Sequence, residues 1–445
     1  MRFGGPDGAH RRIFAIALPM IASNLTVPLL GLVDTAVIGH LASPAYLAAV
    51  AVGATIFSFL FLGLNFLRMA TTGVTAQALG RDDVSGVRRA LGQSVLIALG
   101  LAAALLILQW PLEQIALALL GPDPAVRESA STYFLIRIWS APAVLVNYAL
   151  IGWFLGMQNA RAPLLVMALT GILNMALDIA FVWGFGWKVA GVAAGTLIAA
   201  YAGAFLSIAL AAGLLSRYPG GWREADLGNR KAFGHLLSIN GNILVRSLAL
   251  MFVFGFFTAA GARLGTVILA ANALLLNFQN VLSYALDGFA HAAEALSGRA
   301  IGAGEREDFD RVLKAALVWS LALAVIFTGI WAGAGEAIIR LLTDLPEVRE
   351  AAKRYLPWVV LLPLVAVWAF LLDGIYIGAT RAAAMRNSML VSAFACFLPA
   401  WYLSRSLGND GLWLALVVFF AARALTMATG FPRLRFEAFN LKRIV

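Results

Sequence analysis

Apolar residues run along this chain in long blocks, each closed by a short stretch that is polar, charged or rich in glycine. A helix rising about 1.5 Å per residue needs about 20 apolar residues to cross about 30 Å of hydrocarbon. Twelve blocks reach that length, at residues 13–39, 47–72, 90–110, 129–157, 163–185, 189–215, 236–258, 264–293, 312–334, 351–378, 385–404 and 411–431. The pattern predicts an all-α polytopic membrane protein with twelve transmembrane helices, numbered here as spans 1 to 12. The first block is not a plain anchor. Pro19 and Pro28 each remove a backbone donor and bend the helix, and Asp34 puts an ionisable carboxyl inside it. Such a carboxyl costs about 2.5–3.5 kcal/mol on insertion scales, so it marks a candidate site for a proton or a cation.

Composition removes the soluble classes. Hydrophobic residues make up 61% of the chain, charged residues 13%, and mean hydropathy is +0.85. The first apolar block is too long for a cleavable signal peptide and lacks a small-residue cleavage site. The single cysteine, Cys396, excludes an intrachain disulfide and a cysteine metal cluster, and the four histidines have no ligand spacing. The net charge of +10 is a topology signal. Twenty-one Lys and Arg fall on the side that carries both termini and eight on the other, which predicts cytoplasmic termini and no nucleic-acid site.

The chain repeats itself at a shift of 222 residues: Gly80 matches Gly302, Tyr133 matches Tyr355, and Gly152, Gly156 and Ala160 match Gly374, Gly378 and Ala382. Small residues four apart let helices approach closely. A shift of six spans preserves orientation, so the expectation is two six-helix lobes related by a pseudo-twofold, parallel repeat. The expected lobes are 1–215 and 233–445, joined by the charged cytoplasmic linker 216–232. Such a pair forms a cleft suited to alternating access. No filter or charged ring suggests a channel, and no nucleophile with its base or paired metal ligands suggests an enzyme. The loop at 80–89 reads as a capped cytoplasmic turn with snorkelling arginines.

Polar residues inside the spans collect in two places. Asp34, Asp178 and Thr196 lie at similar depth in the outer leaflet, Asn174 sits one turn from Asp178, and Asn147 in span 4 is within reach of them. Two carboxyls, two amides and a hydroxyl fit a proton or Na⁺, with Asp34 and Asp178 as the acids. In the second half Asp287, His291 and Glu294 form one stripe on span 8, with Glu294 toward the interface. Asp373 lies near the inner end of span 10, with Arg246 of span 7 as a candidate partner; Arg68, Arg137 and Arg423 are expected to snorkel or to form structural pairs.

LPMIASNLTVPLLGLVDTAVIGHL at 18–41, TTGVTAQALG at 71–80, GWFLGMQNARAP at 152–163, NMALDIAFVWGFG at 174–186, YALDGFAHAAEA at 284–295 and LLDGIYIGATRAAAMRNS at 371–388 carry a resemblance. With them the whole chain resembles the multidrug and toxic compound extrusion (MATE) family, and within it the DinF branch. The resemblance implies two six-helix lobes around a central cleft and export of organic molecules in exchange for H⁺ or Na⁺. It implies a cation pocket of Asp34, Asn174, Asp178 and Thr196. Family members driven by Na⁺ through the C-lobe pair a span-7 carboxylate with a span-10 Asp. Asp373 fits the second, but span 7 here offers Arg246 and no acid.

The resulting expectation is a monomeric, cation-coupled multidrug antiporter of the cytoplasmic (inner) membrane. It works on small, cationic or amphiphilic molecules among membrane lipids, needs no cofactor, and favours H⁺ over Na⁺. Two rivals stand beside it: a flippase for lipid-linked precursors, whose cleft would carry several arginines, and a non-transporting membrane sensor or assembly protein.

Overall fold

The computed structural model describes the backbone of residues 6–39 and 44–440 and the side chains of residues 8–26 and 44–440. Every regular element among them is helical. Span 1 is a single helix, Pro6–Gly39. Eleven further helical stretches are long and apolar enough to cross a membrane. Spans 2 to 6 are Pro44–Gly80, Val84–Ile107, Pro124–Gly156, Arg161–Gly184 and Lys188–Leu215. Spans 7 to 12 are Arg230–Arg263, Thr266–Ala303, Arg306–Leu342, Pro346–Gly378, Ala382–Leu407 and Asn409–Asn440. The helices outrun their apolar blocks because the flanking polar residues supply caps: Asp83, just before span 3, accepts from the Gly86 N–H at 2.8 Å. The pattern of apolar blocks left Gln109–Leu120, a short helix between spans 3 and 4, unassigned.

Two compact units emerge, Ala22–Leu236 and Met1–Ile21 with Leu237–Val445. The expected first lobe started at residue 1, whereas the start of span 1 packs with the second half of the chain. Arg12 donates to both oxygens of Asp308, Trp319 Nε1 donates to His10 Nδ1 at 2.8 Å, and Phe14 meets the Trp319 ring edge-on at 4.5 Å. In each unit a buried apolar cluster holds the helices together, around Phe57, Tyr133 and Phe134 in the first and Phe257, Trp413 and Phe419 in the second. Within a bilayer such clusters hold by close van der Waals packing, since lipid tails are as apolar as the side chains themselves.

The 222-residue repeat reaches down to single contacts. A Cβ on Gly152 would strike the Arg68 carbonyl and one on Gly156 the Thr72 carbonyl; Gly374 and Gly378 meet Ala290 and Glu294 in the same way, each partner shifted by 222. Positive φ recurs in register too, at Asp82 (53°) and Gly304 (75°), Gln158 (60°) and Thr380 (57°), and Gly186 (70°) and Gly408 (61°). Spans 5 and 11 both contain a π-helical segment, Ile179–Gly184 and Val391–Phe397.

The linker is folded onto span 3 rather than hanging free. Arg88, buried, donates to the Leu215 and Tyr218 carbonyls at 3.2 and 3.1 Å. Arg89 reaches Ala225 O at 2.8 Å, and Gln93 reaches Leu227 O and Asn229 O at 3.1 and 3.3 Å. The 80–89 turn is capped as expected, but Arg88 and Arg89 pin the linker instead of snorkelling.

Candidate ion-coupling site

Span 5 presents Thr170, Asn174 and Asp178 one turn apart on one face. Asp178 is fully buried and accepts from Asn174 Nδ2 at 3.1 Å. The same amide donates to Thr196 Oγ1 of span 6 at 3.3 Å, and the Thr196 hydroxyl donates to Val192 O at 3.0 Å. Span 6 comes this close because residue 195 is glycine: a Cβ there would strike Asp178 Oδ1. Directly after Asp178 the helix widens into its π-helical turn, a deformation frequent at functional sites. Asp34 lies on span 1, but its side chain is outside the described residues, as is any pairing it makes.

The structure places Asn147 farther along the same helices. Its Oδ1 accepts from Ser207 Oγ at 2.6 Å, and a Cβ on Gly203 would meet both Thr170 Oγ1 and Asn147 Nδ2. Thr170, Asn147 and Ser207 therefore extend a polar seam between spans 4, 5 and 6 that starts at Asp178. Periodicity points to Thr170, which falls one turn before Asn174. Nothing in the sequence pairs Ser207 with Asn147.

In the second half, Asp373 Oδ2 is the meeting point of two guanidinium groups. Arg246 donates to it from span 7, and Arg423 of span 12 donates at 2.7 Å. All three residues are buried, and Arg423 also lies over the Phe419 and Phe420 rings at 5.5 and 5.6 Å. The sequence pairs Arg246 with Asp373 and allows Arg423 to snorkel or to pair; the structure shows it paired, with Asp373 as the partner that the sequence does not name. His291 and Glu294 of span 8 are both buried within the protein, and the Glu294 backbone carbonyl lies at the close contact with Gly378. Asp287 lies on the same span, one turn before His291.

These features define a class, a helical membrane transport protein built from two copies of one six-span bundle, with a buried acid in each. The comparisons agree. The MatE family model matches residues 19–180 and 243–402, two windows whose ends lie one repeat apart. DNA damage-inducible protein F of Escherichia coli (strain K12) is 47% identical over 420 residues, covering 94% of this chain and 91% of that protein. The probable multidrug resistance protein NorM of Rhizobium meliloti (strain 1021) is 27% identical, covering 94% and 92%. The crystal structure of the Vibrio cholerae MATE transporter VcmN in its bent form superposes with a TM-score of 0.87 at 22% identity, over 97% of this chain and 98% of that one. An outward-facing multidrug resistance MATE transporter gives 0.81 at 20% identity, over 98% and 97%. This chain belongs to the MatE family, with the twelve-helix fold of its transporters.

Proposed function

We propose that this protein is an H⁺-coupled multidrug antiporter of the cytoplasmic membrane, with both termini inside, exporting cationic or amphiphilic organic molecules as a monomer by alternating access. The observation that carries the coupling site is Asp178, a fully buried carboxyl set in amide and hydroxyl groups. A buried acid of this kind can hold a proton and give it up when a cation or a conformational change stabilises the anion. Asp34 is the second acid of the pair, on the helix that carries Pro19 and Pro28. The preference for H⁺ over Na⁺ rests on Arg246 and Arg423, whose guanidinium groups take up Asp373, the residue that a second-half Na⁺ site would need.

Purified protein in vesicles should accumulate a fluorescent organic cation under an imposed ΔpH. It should show little accumulation under ΔNa⁺ alone. Transport under ΔNa⁺ but not ΔpH would overturn the choice of ion, and transport under neither would overturn the antiporter. Orientation has its own test. In a Cys396→Ser background, a cysteine in the 216–232 linker should be protected from an impermeant thiol reagent added outside cells, and one near Pro122 should react.

One observation favours a second reading, a flippase for lipid-linked precursors: the buried Arg246 and Arg423 suit an anionic headgroup. Gradient-independent translocation of a fluorescent lipid-linked phosphate would select it.

A further inference from the structure

The Arg246–Asp373–Arg423 cluster has more donors than its single acid can use. Both arginines bond through Nη2 to one oxygen, Asp373 Oδ2. The Nε groups of Arg246 and Arg423 are buried without a hydrogen-bond partner among the described residues. Among the described residues the Nη1 groups make no hydrogen bond either. The two arginines are themselves only 7% and 3% exposed. Two positive charges and one negative charge thus meet in direct contact, on three helices of one compact unit.

A guanidinium left with unused donors in a poorly hydrated place is costly, and the group that uses them best is a planar carboxylate, held by a fork of parallel N–H bonds. The structure already contains one such group in Asp373. We propose that Arg246 and Arg423 form an anion subsite that takes the carboxylate headgroup of an amphiphilic molecule, with Asp373 as the internal carboxylate that holds the subsite when it is empty. The apolar rings of Phe419 and Phe420 beside Arg423 suit a ligand with a hydrophobic body. The inference deepens the exporter reading by extending its substrates from cations to amphiphiles with an anionic end, and it rests on that reading only for transport, not for binding.

The sign of one substitution separates this role from a purely structural ion cluster. Asp373→Asn removes the competing carboxylate and leaves both arginines. It should therefore bind an anionic amphiphile more tightly than the parent, whereas a structural cluster loses on every measure.

The experiment is binding to the full-length protein in neutral detergent, read by fluorescence of three dansyl amphiphiles. They share one alkyl chain and end in a carboxylate, a primary amide or a trimethylammonium group. In the parent, the carboxylate should bind about tenfold or more tightly than the amide, as a charge-assisted bond predicts. Arg246→Gln should remove most of that preference while Arg423 still balances Asp373, and Asp373→Asn should enlarge it. Equal binding of carboxylate and amide by the parent overturns the proposal, whatever the variants do. So does an unchanged preference in Arg246→Gln, or a smaller one in folded Asp373→Asn. If Asp373→Asn cannot be isolated folded, Arg423→Lys takes its place: it keeps the charge but loses the fork, and full retention of the carboxylate preference counts against the subsite. Transport of the organic cation under ΔpH is scored separately. A protein that binds the carboxylate but transports nothing keeps the subsite and loses the antiporter.

Discussion

Asp178 and Asp373 are both buried carboxyls inside membrane helices, one in each half of a chain that repeats at 222 residues. Asp178 takes an amide from one turn back on its own helix and faces a glycine on the next. Asp373 takes two guanidinium groups from two other helices. Amides and hydroxyls can serve either the protonated or the ionised acid, which suits the coupling role proposed for Asp178. The second setting ties three helices together through two ion pairs to one oxygen. The backbone was duplicated along with its glycine contacts, and the chemistry then diverged on it.

The strongest way to break this comparison is to remove the titratable group from the first half. Asp34→Asn and Asp178→Asn should each abolish most ΔpH-driven transport, and the double variant should lose little more, because two carboxyls sharing a proton act as one unit. The amide is nearly isosteric, so thermal stability should stay within about 1 kcal/mol of the parent. A transporting Asp178→Asn beside a dead Asp34→Asn would leave Asp34 as the sole coupling acid.

The second half should answer in the opposite way. Asp373→Asn leaves two arginines without their acid, and losing one side of a buried ion cluster costs about 3–5 kcal/mol. Its melting temperature should fall well below that of Asp178→Asn, with ΔpH-driven transport per folded molecule largely kept. Equal stability of the two variants would mean that the arginines are already neutralised by other groups, Asp287 first among them.

Much of this was legible beforehand, and the limits have physical causes. Twelve apolar blocks and the shared spacing of Gly152 and Gly374 are local signals, so span number and repeat could be read directly. Asn174, Asp178 and Thr196 follow from helical spacing and from the resemblance to the MATE family. Arg423 is legible as a residue that could pair, but its partner is not, because it lies 50 residues from Asp373 on a different span, and spacing along one helix says nothing about which neighbouring helix it meets. Ser207 was missed for the same reason, since its partner Asn147 is two spans away. The π-helical turn after Asp178 has no composition of its own; IAFVWG is as apolar as the helices around it. The docking of the linker was hidden by its charge, because Arg88 and Arg89 look like residues that seek lipid headgroups.

A smaller effect sharpens the geometry of the first site. Gly195→Ala places a methyl group against Asp178 Oδ1 and 3.3 Å from Leu177 Cβ. The two spans must part slightly, at about 1–3 kcal/mol. Coupling should suffer more than folding, with ΔpH-driven transport down about tenfold, because displacements under 1 Å already weaken a positioned group. Unaltered transport in a folded Gly195→Ala would show that the acid does not need span 6 so close.

The smallest expected effect compares the two cytoplasmic turns. Asp83 and Glu305 occupy equivalent N-cap positions with nearly the same backbone, φ −84° and ψ 85° against φ −86° and ψ 83°. The shorter side chain reaches back to the Gly86 N–H, whereas Glu305 makes no side-chain cap. Asp83→Ala should therefore cost about 1 kcal/mol, and Glu305→Asp should gain a similar amount by giving span 9 the cap that span 3 has. The first turn is also sensitive to acid. Burial pushes the Asp83 carboxyl up, but the Gly86 and Ser85 hydrogen bonds with the charges of Arg89 and Arg81 more than offset it and hold the group below its ordinary value. A depressed acid adds stability above its unfolded value, about pH 3.9, and loses it as the pH falls toward the folded one. Asp83→Asn keeps a capping oxygen but cannot titrate, so the parent should lose its advantage over this variant below about pH 4. Thermal melts of parent, Asp83→Ala, Asp83→Asn and Glu305→Asp at pH 7 and near pH 3.5 test both halves of the argument. A Glu305→Asp protein no more stable than the parent at pH 7 would show that equivalent backbones do not make the caps interchangeable.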